Sequence, residues 1–315
     1  MTEPPPAPEP PRAASLPHRR DIPFIPPYDV EALCAAQRTH AVAGIDAPEL
    51  SERRLAAPTD QSHQDADISR GIRHNGINGT LSVRFADDSV ELRSSQPIDA
   101  ALEHRVRRWL DLDADPAETA ARLGGDPVMA PLVGKRPGLR ILGHIDDIEA
   151  ASFAVLGQQV SLASARTFQR RFVAAFAPQD ETTGYRHFPD AAELAALETA
   201  EIRDAVGLTR ARAATLHAVI AELASGLTLT GDTAEIRERL LRLRGIGPWT
   251  ADYLAVRAVG DRDAFPSGDL VLRRAMGAAD ARAAIARGEA WRPLRAYATF
   301  HLWTEFAYCA QTAQP

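Results

Sequence analysis

The sequence predicts an α+β fold, with an antiparallel sheet in its front part and helices throughout its second half. Three observations carry that prediction. Leu81-Ser82-Val83-Arg84-Phe85 alternates apolar and polar residues, the period of a half-buried strand, and Asp87-Asp88 turns the chain into a second run. Beyond Lys135-Arg136-Pro137-Gly138-Leu139-Arg140 the alternation stops, and apolar residues recur at three- and four-residue spacing. Glycines and prolines punctuate the segments that follow.

In chain order, residues 1–27 are rich in proline with scattered charge and almost no periodicity, so a disordered tail is expected. Tyr28 to about His40 reads as a short helix, opened by Asp29 as a cap. From about Ala41 to Ser95 the pattern is that of strands, clearest at Gly79–Phe85 and Ser89–Arg93. Helices are expected at Ile98–Leu112 and Ala117–Leu123. The second half then predicts helices at Ile148–Leu156, Leu162–Phe176, Ala191–Glu198, Thr209–Ala224, Thr233–Leu243, Thr250–Val259, Leu270–Met276 and Leu294–Ala307.

Composition bounds the function. At 315 residues, 45% hydrophobic and 25% charged, the chain reads as a soluble globular protein of two or three domains. It has no apolar run of about 18 residues and no secretory signal, so a cytoplasmic protein without a membrane partner is expected. Cys34 and Cys309 stand far apart, which excludes a disulfide framework, a CxxC zinc site and a four-cysteine iron–sulfur cluster. A net charge of −6 argues against a strongly basic nucleic-acid binder, although phosphate contact needs only a local patch. Lys135 is the only lysine, which leaves Schiff-base chemistry almost nowhere to occur.

The most informative stretch is Leu243-Arg244-Gly245-Ile246-Gly247-Pro248-Trp249-Thr250-Ala251. Two glycines framing one apolar residue between amphipathic segments read as a tight turn joining two helices. Such a hairpin can offer the N–H groups of Ile246, Gly247 and Trp249 to a phosphate, since Pro248 has none. Many helix pairs turn on glycine without binding anything. Arg237, Arg239, Arg242 and Arg244 cluster on the approach, partly offset by Glu235 and Glu238.

Asp269 follows after one more helix. Taken alone it reads first as the N-cap of Leu270-Val271-Leu272 and only second as a carboxylate for chemistry, and the two roles are compatible. The helix dipole, and Arg273 one turn later, would favour its ionised form. Asp252, Asp261, Asp263 and Glu305 compete for that role but read as surface or capping residues. Trp249 and Tyr253 share one helix face at i, i+4, which fits core packing as well as a binding wall.

Together these residues resemble the helix-hairpin-helix DNA glycosylase superfamily, in its alkylation-repair branch. Ala154-Val155-Leu156-Gly157-Gln158-Gln159-Val160-Ser161 is similar to the upstream signature of that family. Pro26-Pro27-Tyr28-Asp29 and Arg136-Pro137-Gly138-Leu139-Arg140 resemble it too, so the likeness runs from about Phe24 to Cys309. The resemblance implies an N-terminal domain like half of a TATA-binding protein over 28–115, and a helical domain with the hairpin over 144–261. A third domain would combine 116–143 with 262–315.

By the same resemblance, Asp269 is catalytic, and Trp249, Tyr253, Trp303 and Leu270 line a pocket for an extruded base, with Trp303 stacking on that base. The branch has tyrosine where this chain has Leu270. Gly245, Ile246, Gly247, Thr250, Gln158 and Gln159 would meet DNA, and Gln159 stands where the branch inserts leucine into the duplex. A monovalent cation would sit on the carbonyls of Leu241, Leu243 and Gly245, and no other cofactor is implied.

Bifunctional members carry a lysine where this chain has Trp249. The implied reaction is therefore hydrolysis of the N-glycosidic bond of alkylated bases in double-stranded DNA, by a monomer, leaving an abasic site. Two alternatives stay open: a glycosylase for deaminated or oxidised bases, and a helix-hairpin-helix protein that binds DNA without chemistry.

Overall fold

The computed structural model describes residues 16–46 and 67–309. Residues 1–15 of the expected tail and 47–66 of the expected strand region lie outside them. A four-stranded antiparallel sheet is built from β1 (His18–Pro23), β2 (Asp67–His74), β3 (Ile77–Phe85) and β4 (Ser89–Ser94), in the order β1-β4-β3-β2. Val83 pairs with Leu92 across the centre, so the alternation seen in the sequence points one apolar row inward. The sheet corrects the expected tail at His18–Pro23. That strand buries Ile22 alone among its six residues, so its pattern is nearly silent; the backbone ladder to β4 makes it a strand.

Helix α1 (Val30–His40) follows β1, and α2 (Ala100–Leu110), α3 (Pro116–Leu123) and α4 (Ala130–Lys135) follow the sheet. Asp29, Asp99 and Asp115 cap α1, α2 and α3 by accepting backbone N–H groups. The helical half begins with α5 (Asp147–Leu156) and α6 (Leu162–Phe176), then α7 (Ala191–Ala195) and α8 (Thr199–Val206). The long α9 (Arg210–Ala224) leads to α10 (Thr233–Arg242), the hairpin and α11 (Pro248–Leu254). Helices α12 (Leu270–Met276), α13 (Ala281–Gly288) and α14 (Arg295–Trp303) complete the described chain. Among the described residues no helix is long and apolar enough to cross a membrane.

Two hydrophobic cores organise these elements. One joins the inner face of the sheet (Leu81, Val83, Leu92) to Val106 and Trp109 of α2, and to Leu272, Met276 and Phe300 of the last helices. The other gathers Ile148 to Ala258, including Phe172 of α6, Leu216 of α9 and Leu254 of α11. The sheet and the C-terminal helices thus share one interior. Tyr253 packs against both cores and marks the seam between them.

The two short motifs at the front and the junction meet in space. Arg136 donates to the Asp29 carboxylate at 3.0 Å, and the Asp29 N–H donates to the Gly138 carbonyl at 2.9 Å. The Arg140 guanidinium lies 5.2 Å from the Tyr28 ring centre and donates to the Ile25 and Ala114 carbonyls. A Cβ on Gly138 would fall 2.7 Å from the Pro27 carbonyl, so only glycine lets these segments approach so closely.

Candidate active site

Asp269 N-caps α12, and its Oδ1 accepts the Leu272 N–H at 2.9 Å. The same oxygen accepts the Trp303 indole N–H at 3.1 Å, while Oδ2 accepts that of Trp249 at 3.0 Å. Capping and positioning are thus one arrangement. Three donors from three helices fix a half-buried carboxylate; Oδ1 spends both lone pairs on two of them, and Oδ2 keeps one for other work.

The aromatic residues form a continuous group around this anion. Trp249 stacks on Tyr253 with ring centres 5.4 Å apart and planes at 22°, and Tyr253 meets Trp303 at 5.9 Å. Trp303 is only 4% exposed, so here it serves the carboxylate by its edge and packs against the core. Trp249 and Tyr253 are half-buried and keep surface open. Leu270 is 59% exposed at the rim, a position where a buried core residue would not stand.

The helices carrying these aromatics both widen into π turns, at Ala255–Val259 and Thr304–Tyr308. The first presents a residue that the sequence reading missed. Arg257 is 1% exposed, and its guanidinium lies 5.8 Å from the Tyr253 ring centre and 5.9 Å from that of Phe300. It pairs with no carboxylate among the described residues. Instead it donates to His40 Nε2 at 3.1 Å, and burial together with Arg257 and His144 holds that imidazole well below its usual range. A small polar cavity lined by His40, His144, Glu149, Tyr253 and Arg257 lies beside the aromatic group, and Asp269 is not part of its wall. No periodicity marks a buried arginine; only its place two turns after Trp249 could have suggested it.

The competing carboxylates are engaged elsewhere. Arg237 holds Asp252 at 2.7 Å, Arg295 holds Asp263 at 2.9 Å, and Asp261 accepts the Asp263 N–H at 2.8 Å. Lys135 pairs with Glu305 at 2.8 Å, so the single lysine is committed to a surface ion pair. Arg273, expected to assist Asp269, turns to the Ala279 carbonyl.

The hairpin turns on Gly245 at φ +93°, a conformation that favours glycine. The Ile246 N–H donates to the Leu243 carbonyl at 3.0 Å and the Ile246 side chain is buried, so Ile246 anchors the turn from inside. That removes one of the three expected phosphate donors and leaves those of Gly247 and Trp249. A Cβ on Gly247 would meet nothing within 4 Å, so the protein leaves that face open. Thr250 is buried too, and its hydroxyl accepts the Gln158 amide at 2.9 Å. Gln158 also donates to the Gly245 carbonyl at 3.1 Å, whereas Gln159 is exposed.

The carbonyls of Leu243 and Gly245 are therefore each engaged once inside the protein. Each retains a second lone pair, and a backbone carbonyl oxygen is the type of donor that hard cations take.

Comparison with known proteins fits this geometry. Residues 19–146 match the AlkA N-terminal domain, and residues 153–289 match the HhH-GPD superfamily of base excision DNA repair proteins. The chain is 31% identical over 288 residues to DNA-3-methyladenine glycosylase 2 of Escherichia coli (strain K12), covering 88% of this chain and 94% of that one. The chain belongs to the HhH-GPD superfamily.

It is also 40% identical over 263 residues to a Mycobacterium tuberculosis protein named "Probable bifunctional transcriptional activator/DNA repair enzyme AlkA". That match covers 79% of this chain and 52% of the relative, so the chain spans about half the length of these first relatives. In fold it is similar to the 3-methyladenine DNA-glycosylase of Archaeoglobus fulgidus, with a TM-score of 0.74 at 20% identity over 91% of this chain and 99% of that one.

Proposed function

We propose that this HhH-GPD protein is a monofunctional DNA glycosylase that hydrolyses the N-glycosidic bond of alkylated bases in double-stranded DNA. The observation that carries this reading is the Asp269 carboxylate, held by two indole N–H groups and a helix start within an aromatic group at the seam of two cores. We read residues 28–115, 144–261, and 116–143 with 262–315 as its three domains, acting as a monomer on cytoplasmic, nucleoid-associated DNA. Carbonyls at Leu241, Leu243 and Gly245 would hold a monovalent cation that steadies the hairpin, and no reaction step depends on it.

In this mechanism the Gly247 and Trp249 N–H groups hold a backbone phosphate, and the damaged nucleotide swings out against Trp249 and Tyr253. A purine methylated at N3 or N7 is cationic, and electron-rich rings attract it. The C–N bond breaks with its electron pair leaving on the base, which departs neutral. Positive charge then develops on the sugar, where the fixed Asp269 anion stabilises it. Water adds its oxygen to the sugar carbon and passes its proton to Asp269. Trp249 occupies the position of the bifunctional lysine, so no covalent enzyme–sugar intermediate forms.

The test is a set of duplexes carrying single defined lesions, assayed for base release and then for alkaline strand cleavage. Cleavage is expected only after alkali, and borohydride is expected to trap no protein–DNA adduct. Spontaneous strand breaks or a strong adduct would overturn the water mechanism.

Arg257 favours a second reading, in which neutral deaminated or oxidised bases are also substrates. A buried cation already drawing on the Tyr253 ring weakens that ring for a cationic base. It also stabilises an anionic leaving base. Arg257→Met is therefore expected to shift the ratio of 7-methylguanine to hypoxanthine release upward by roughly ten-fold, the scale of one nearby charge in a low-dielectric site. An unchanged ratio would remove Arg257 from substrate selection.

A further inference from the structure

We propose that Gln158 is a positioning residue that couples the hairpin's hold on the DNA backbone to the insertion of Gln159 into the duplex. The inference rests on the glycosylase reading above for its partner, duplex DNA, and adds a mechanical link between two parts of the site.

The link is a single carboxamide. Gln158 spends both amide hydrogens across the gap between two segments, one on the Gly245 carbonyl at 3.1 Å and one on the Thr250 hydroxyl at 2.9 Å. Those acceptors stand on either side of Gly247, at the turn itself and in the first turn of α11. The loop that carries Gln158 is therefore fastened to the hairpin at two points.

The loop is fastened on its other side as well. The Gln158 carbonyl accepts Arg212 Nη2 at 2.7 Å, and the Arg212 guanidinium lies 5.4 Å from the Phe168 ring centre. Arg212 belongs to α9, the helix whose Thr215 hydroxyl donates to the Arg244 carbonyl at 3.1 Å. Gln158 and the hairpin thus share one rigid support.

The next residue bears the consequence. Gln159 is exposed and sits at φ +51°, the left-handed region that L side chains seldom adopt. Such a conformation persists only where its surroundings over-determine it. The bonds on Gln158 are the fixed points that precede it, and α6, capped by Ser161, fixes the chain just beyond. The backbone that turns this side chain outward is set before DNA arrives, so only the side chain itself is left to order at the moment of insertion. A phosphate that draws the hairpin toward the duplex carries Gln159 with it.

The test uses the full chain and a duplex containing one 2-aminopurine, whose fluorescence rises when it leaves the stack. Wild type, Gln158→Ala, Gln159→Ala and the double variant are compared, each with its melting temperature. Each single variant is expected to lose about five- to ten-fold in the extrusion equilibrium, and the double variant no more than Gln158→Ala alone. Affinity for undamaged duplex is expected to fall by less than the extrusion equilibrium does in Gln158→Ala, because the hairpin N–H groups remain. Gln158→Met, of similar length and neutral but without the donors, is expected to behave as Gln158→Ala.

Additive losses in the double variant would overturn the coupling. Equal losses of extrusion and plain duplex affinity in Gln158→Ala would reduce Gln158 to a structural prop and overturn it too. No extrusion signal in wild type would sink both the insertion of Gln159 and the coupling. Extrusion without base release from any lesion would instead remove the glycosylase reading and leave the coupling standing.

Discussion

Asp269→Asn is expected to lower single-turnover base release by about 10²–10³-fold, the scale of losing one preorganised electrostatic group at a developing charge. The protein should still fold and bind. Asparagine caps helices as well as aspartate does, and its amide oxygen can take the place of Oδ1, which accepts both the Leu272 N–H and the Trp303 indole. Its NH2 group then faces the Trp249 indole N–H, 3.0 Å from the atom it replaces, so two donors oppose each other. The sugar meets no anion, and the attacking water finds no base. Rates on a 7-methylguanine duplex, with binding to an abasic-site duplex and melting temperature alongside, separate loss of chemistry from loss of fold. A rate equal to wild type would exclude Asp269 from the reaction.

Gly245→Ala is expected to be the most damaging single change in the hairpin. A methyl group there lies 2.0 Å from Thr215 Oγ1 and 2.9 Å from its Cβ, at a backbone φ of +93°. Left-handed strain costs about 1–2 kcal/mol in a non-glycine residue, and overpacking against a buried neighbour adds about 1–3 kcal/mol. The melting temperature should fall by several degrees and duplex affinity by at least about ten-fold. Gly247→Ala provides the contrast. Its Cβ meets nothing in the protein, so stability should hold while affinity for undamaged duplex falls. If Gly247→Ala binds as wild type does, the open face at the hairpin is not where phosphate sits.

Particular residues show how much of this could be read from the chain. The strand pair at Gly79–Phe85 and Ser89–Arg93 was legible because a half-buried sheet imposes a period of two, and the observed β3 and β4 match it closely. Helix α9 was legible for the same reason at its own period, between a Thr209 cap and Ser225. Strand β1 was not, since an edge strand that buries one side chain leaves no pattern. The short α8 and α13 were also unread, because eight residues barely complete two turns of any period. Within the site, glycine at 245 announced its turn, but Ile246 and Thr250, both expected to meet DNA, turn their side chains inward.

What the amino-acid order determined by itself was local: the periods, the aspartate caps, the glycine turn, and the absence of lysine from the position of Trp249. These follow from neighbours within a turn or two of one another, where backbone sterics and spacing decide the outcome. Only the tertiary structure decided that the Asp269 carboxylate receives both Trp249 and Trp303, that Arg257 is buried beside Tyr253, and that Gln158 ties one loop to another. Hydrogen bonds and burial depend on which distant segments share a core, and no spacing along the chain encodes the distance between two helices that meet across a seam.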